Sequence, residues 1–182
     1  MSTTLAVRDH RPSGTTPDRV RPVPIHVLVC GSPDRADDGA PMLAAARIRR
    51  NLPPGVQLRL VGQLEVDHLL AIPQRGGVVI VDAATGLRPG VIVELPLAGL
   101  TDPSHLIRPR SSHALEIPEV VGVAEMIRGR PLPGRILAIG ARSFGLGKTL
   151  SASVVKAIPA LSAAILAAAD HVRDDVIVAR ES

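Results

Sequence analysis

Aromatic side chains are almost missing from this sequence: Phe144 is the only one in 182 residues, and Trp and Tyr are absent. Bases therefore have no aromatic platform on which to stack, which argues against a nucleic-acid partner. Lysine is nearly as scarce, with only Lys148 and Lys156. The formal charge of +4 is carried by arginine. Residues 1–24 hold four Arg against two Asp, so half of that excess sits in one segment. The remainder is close to balanced, as a chain without a polyanion-binding face would be. A single cysteine, Cys30, excludes an intrachain disulfide and any multi-cysteine zinc or iron–sulfur site. That count fits a reducing cytoplasm. No apolar run approaches the roughly 18 residues of a membrane span, and Leu5-Ala6-Val7 is too short for a signal core. No membrane association is expected.

With 46% hydrophobic residues, the chain builds its core from Val, Ile, Leu and Ala. Its length suits one well-filled domain. Residues 1–24, rich in Pro, Thr, Ser and Arg without apolar periodicity, read as a disordered tail. From Ile25 the pattern changes. IHVLVC (25–30), GVVIVD (77–82) and RILAIGA (135–141) are continuous apolar runs, the mark of strands buried on both faces. VQLRLV (56–61) alternates and belongs nearer a sheet edge, while VIVEL (91–95) follows a turn at 88–90. Helices are predicted over Gly39–Arg50, Glu65–Ile72, Ile117–Arg128 and Ser151–Ala169, the last with Ser151 as a natural N-cap. Residues 96–114 read as irregular, and 171–182 as a charged tail that frays. This alternation predicts an α/β domain over 25–170, a three-layer α/β/α sandwich around a largely parallel sheet.

Ligands of such sheets bind beyond the carboxyl ends of the strands. Polar residues delivered there are few. Asp34 and the pair Asp37-Asp38 follow the first strand, and Asp82 ends the second apolar one. Ser111-Ser112-His113 precedes a helix, and Arg142, Ser143 and Lys148 follow the last strand. Carboxylates and an imidazole on one rim suit a transition metal such as nickel or zinc. Asp37-Asp38 can equally be read as a helix cap, Asp82 as a turn residue and His113 as an ordinary loop histidine. His105 lies in the same connection as His113 and competes with it. Cys30 reads as a small buried hydrophobe.

GLGKT (145–149), between a strand and a helix, imitates a phosphate-binding loop. The full pattern needs a glycine where Arg142 stands, so no closed cradle for ATP or GTP is expected.

Four segments taken together resemble the signatures of the hydrogenase maturation proteases. CGSPDRADDGAP (30–41) is similar to the first, a turn followed by paired acids and glycine. VVIVDAATG (78–86) is similar to the second, an apolar strand ending in Asp-Ala. SSHALEIPEVVGVAEM (111–126) carries the Ser-His of the third, and FGLGKTLSASVVKAIP (144–159) resembles the C-terminal loop and last helix. They occur in the family's order. The chain departs from the pattern at Ser32, where the family has asparagine, and over VGQLEVDHLL (61–70).

The resemblance implies an endopeptidase that trims the C-terminal extension of a hydrogenase large-subunit precursor after nickel insertion. It implies that the nickel is supplied by the precursor. It places both the catalytic and the metal-reading roles on Asp38, Asp82 and His113, with Asp37 as an alternative first-motif ligand. A non-proteolytic nickel-binding checkpoint protein of the same fold, and a nucleotide-binding accessory protein, are the rival expectations.

Overall fold

The computed structural model describes residues 22–98, 100 and 116–181. Residues 1–21 of the predicted tail lie outside it, as do residues 101–115 with His105, Ser111, Ser112 and His113. In chain order the strands are β1 (Ile25–Cys30), β2 (Val56–Gly62), β3 (Gly77–Ala84), β4 (Ile92–Pro96) and β5 (Gly134–Gly140). The helices are α1 (Ala40–Ile48), α2 (Val66–Leu70), α3 (Ile117–Arg128) and α4 (Ala152–Glu181), with a 3-10 turn at Ala36–Gly39 leading into α1. One five-stranded sheet runs in the order β2-β1-β3-β5-β4. Three of its pairings are parallel, and β4 alone runs antiparallel, against β5.

Alternation along the strands creates two cores. Val27, Val29, Val79, Val81, Leu137 and Ile139 point into one cluster, shared with α1 and α4. Their neighbours Leu28, Cys30, Val78, Ile80 and Ile136 point into the other, shared with α2 and α3. Every residue of β1 and β3 is buried, as continuous apolar runs require when helices cover both faces. The expected α/β/α sandwich is therefore the observed one, and alternating β2 takes its expected place at an edge.

Asp82 lies within β3 rather than at its end. Small Ala83 and Ala84 continue the ladder with Ile139 and Gly140 of β5. By strand alternation Asp82 shares its face with Ile80 and Cys30, turned toward the α2–α3 layer.

Two boundaries differ from expectation. Val23, assigned to the tail, is buried in the core, and the Pro24 carbonyl accepts a hydrogen bond from Gly77 N at 3.0 Å. At the other end, residues 171–181 are not a fraying tail: they continue α4. Val172 and Val176 extend the buried stripe of Val154, Ile158, Leu161, Ile165 and Ala168 by two more turns. Gly77 makes that approach possible, since a Cβ there would sit 2.3 Å from a Val172 methyl carbon. Two polar residues beside those valines, His171 and Asp175, are spent on the sheet edge, while Arg173 pairs with Asp170 of the same helix. Glu94 Oε1 accepts from Arg135 at 3.1 Å and pairs with His171 Nδ1 at 3.0 Å, while Arg135 also pairs with Asp175 at 3.0 Å. A charged-looking segment is helical because every fourth residue is a valine with a hole to fill. Val172→Ala is therefore expected to cost about 2 kcal/mol, two buried methyl groups plus a partial cavity. Urea unfolding measures it, and a change below about 0.5 kcal/mol, the ordinary surface range, would contradict this packing. Helix α4 is long and apolar enough to cross a membrane by length and composition, but its apolar stripe is occupied by the sheet.

Candidate active site

The connection β1–α1–β2 and the connection β2–α2–β3 lie on opposite faces of the sheet, so the strand order reverses between β1 and β3. At such a switch point the two loops diverge and leave a crevice beyond the carboxyl ends. Asp38, eight residues past Cys30, and Asp82 on β3 are the acids delivered to its two sides.

Both are almost fully buried, at 1% and 2% exposure. An ionised carboxylate in such a place must be held by donors. Asp38 Oδ2 accepts from Ser32 N at 3.0 Å, and Asp82 Oδ1 from Ala83 N at 2.9 Å. Cys30 reports their shared neighbourhood. Its thiol is pushed well above the ordinary range, first by burial and then by the negative charges of Asp82 and Asp38. One side chain at the end of β1 thus feels both carboxylates. It also stays protonated near neutrality, which removes Cys30 as a thiolate nucleophile.

Gly31 permits this arrangement. Its φ is +107°, and a Cβ there would stand 2.1 Å from the Asp38 carbonyl oxygen and 3.5 Å from its Oδ1. The loop turns back on itself so tightly that the Asp38 backbone occupies the space of a side chain. Gly31→Ala should cost about 3 kcal/mol or more through combined φ strain and overlap. Thermal or urea unfolding would show it, and near-wild-type stability would mean that the loop is looser than described.

Asp37, which the sequence reads as a cap or an alternative ligand, ties the first loop to the last. It is completely buried, and its carboxylate reaches across to the loop between β5 and α4. Oδ2 accepts from Arg142 N at 2.8 Å, Ser143 N at 3.3 Å and Ser151 Oγ at 3.0 Å; Oδ1 accepts from Ser151 N at 2.6 Å. Ser151, expected to cap α4, spends its hydroxyl proton on Asp37. Two of these amides directly follow β5 and one stands at the entry to α4, and together they resemble the kind of nest that binds phosphate in nucleotide-binding loops. Here the protein's own carboxylate fills it. The donors flank the GLGKT segment (145–149); within it, Gly145 N donates to Ser143 Oγ at 3.1 Å and Gly147 N to the Asp34 carbonyl. Further bonds from Asp37 N to Ser143 O (3.1 Å) and Gly147 N to Asp34 O (2.8 Å) complete the clamp.

Three histidines fall among the described residues. His26 lies within β1, His68 accepts from Glu65 N at 3.1 Å in the capping box of α2, and His171 pairs with Glu94. His113 stands three residues before Glu116, the N-cap of α3, outside the described residues. Helix α3 connects through residues 129–133 to the amino end of β5, so it runs against the strands and begins near the carboxyl rim. Lys148 and Arg142 were candidates by position; only the backbone of Arg142 is used in the clamp.

No family model matches the sequence, and no curated protein matches it by sequence. Solved structures do match. Hydrogenase maturating endopeptidase HybD from E. coli aligns with a TM-score of 0.66 at 20% identity, over 82% of this chain and 93% of that one. The [NiFe] hydrogenase maturation protease HycI from Thermococcus kodakarensis KOD1 aligns with a TM-score of 0.62 at 21% identity, over 81% and 93%. A hydrogenase 2 maturation peptidase from a Thaumarchaeota archaeon aligns with a TM-score of 0.54 at 24% identity, over 80% and 97%. Nearly the whole length of each is thus matched by about four-fifths of this chain, and the chain has the fold of the hydrogenase maturation proteases.

Proposed function

We propose that this protein is an endopeptidase that cuts the C-terminal extension from a hydrogenase large-subunit precursor, with the precursor's nickel as the recognition element. The observation that carries the reading is the pair of buried carboxylates, Asp38 and Asp82, flanking the switch-point crevice of this fold. The structural likeness to maturation proteases supplies the reaction class and the kind of partner. Carboxylate oxygens and an imidazole form a donor set that suits nickel. The Ser-His resemblance and its place three residues before Glu116 assign that imidazole to His113.

In this reading the ion is part of the substrate and reports that loading is finished. Asp38 and Asp82 are held in place by backbone amides, so they meet the ion with little reorganisation. The ion acts as a Lewis acid at the peptide bond to be hydrolysed. Cys30 takes no part as a nucleophile, because its thiol is buried and protonated. The chain's task is to hold the loaded precursor so that one bond, near its C-terminus, meets water.

Purified protein incubated with nickel-loaded precursor should yield the shortened large subunit and one released peptide, read by intact mass. The same precursor without nickel should stay whole. Nickel binding by the chain with no cleavage of the loaded precursor would favour the checkpoint protein instead.

A further inference from the structure

The groove between α1 and the edge strand β2 has no role in the site described above. It has a volume of about 780 Å³ and is walled by Met42 and Ala46 of α1 and by Leu58 and Leu60 of β2, with Arg49 and Arg50 among its lining residues. Leu60 in its wall is 53% exposed. Between residues 40 and 64 the sequence contains no Asp or Glu, yet it contains Arg47, Arg49, Arg50 and Arg59. Among the described residues, none of these four arginines forms an ion pair.

One end of the groove lies close to the crevice loop along α1 and β2. Its upper end is Met42, one helical turn past Asp38, and Leu60, two residues before Gly62, whose carbonyl accepts from Gly31 N at 2.7 Å. Its lower end is the C-terminus of α1, where Arg49 and Arg50 stand. Met42 and the arginines are seven and eight residues apart, a rise of about 11–12 Å along the helix, the length of about three to four residues of extended chain. Among the described residues, β2 pairs only with β1, so its outer edge offers main-chain hydrogen bonds to such a segment.

We infer that this groove takes the precursor's C-terminal extension as an extended segment, apolar next to the cut and carrying a carboxylate about four or five residues beyond it. The inference rests on the proposed function. Leu58, Leu60 and Met42 receive the apolar side chains, and Arg49 and Arg50 receive the carboxylate. Charge selects this occupant over the chain's own residues 1–21, whose four arginines against two aspartates would be repelled.

The test is steady-state processing of the nickel-loaded precursor by the double variant Arg49→Glu, Arg50→Glu. Both residues are exposed, so the fold should survive, which a thermal melt checks. The expected result is a KM raised about tenfold or more, with kcat within about twofold. The wild-type KM should rise with salt, and that of the variant should not. Efficient wild-type cleavage with an unchanged KM in the variant would overturn the inference and leave the proposed function standing. No wild-type cleavage would overturn the function itself. A KM lowered by deleting residues 1–21 would assign the groove to the chain's own tail, and a variant-dependent change in oligomeric state would assign it to a second copy; either result overturns the inference.

Discussion

Asp37→Ala is expected to destabilise the fold by about 3–5 kcal/mol, a large share of the 5–15 kcal/mol typical of a whole domain. The fully buried carboxylate gathers four hydrogen bonds from Arg142, Ser143 and Ser151, which lie in the connection between β5 and α4. Removing it leaves three amides and a hydroxyl without their acceptor, and a bond to a charged group contributes about 1.5–3 kcal/mol. The contributions share one acceptor and do not add fully. The magnitude separates two accounts. An ordinary helix-capping acid costs about 1 kcal/mol when truncated. Asp37→Asn keeps the shape but turns an amide N–H₂ toward donors on whichever side it faces, so it should fall between the alanine variant and wild type. Urea unfolding monitored by far-ultraviolet circular dichroism gives these numbers. A loss near 1 kcal/mol for alanine would return Asp37 to the role of a simple cap. Because the clamp fixes the loop that carries Asp38, processing by Asp37→Ala should suffer even where the protein remains folded.

Asp82→Asn is expected to have the opposite signature: stability near wild type and processing reduced by more than about 100-fold. Asparagine keeps the volume and one carbonyl oxygen to accept from Ala83 N, so the strand is undisturbed. What disappears is a negative charge and a strong oxygen donor. Loss of groups that merely orient a ligand costs about 10–100-fold, and a direct ligand should exceed that. The Cys30 thiol provides an independent readout. Without the Asp82 charge one of the influences that raise its pKa is gone, so the pKa should fall toward the ordinary thiol value. That titration moves only if Asp82 lies where the fold puts it. Stalled processing without the thiol shift would mean that the variant acts by distorting the rim.

Much of this was legible in the sequence, for physical reasons that differ from one part to the next. Apolar runs at 25–30, 77–82 and 135–141 can be buried only between two helical layers, which dictated the architecture. Asp82 stood out because an acid in an apolar strand needs a reason. The resemblance favours Asp38 over Asp37, but their position after the same turn gives no physical ground for separating them. Only the fold shows one turned inward to the α4 entry and the other held by Ser32. Ser151 looked like a cap because caps and clamps use the same residue type. The extension of α4 through residue 181 was hidden by its charges, since Arg173, Asp174 and Asp175 mask the spacing of Val172 and Val176. What Asp175 and His171 do depends on Arg135 and Glu94, about 40 and 80 residues away in the chain. The arginine-edged groove, too, exists only once β2 is set beside α1.

The most direct test of the central claim, that Asp38, Asp82 and His113 together read the precursor's nickel, is the processing rate of nickel-loaded precursor by His113→Ala. His113 is the member of the trio that lies outside the described residues, and its assignment rests on the Ser-His resemblance and on its place before α3. The account predicts a variant that melts like wild type and leaves the loaded precursor uncut, while wild type cuts it and spares the nickel-free form. Efficient cleavage by His113→Ala, or equal cleavage of loaded and nickel-free precursor by wild type, would contradict it.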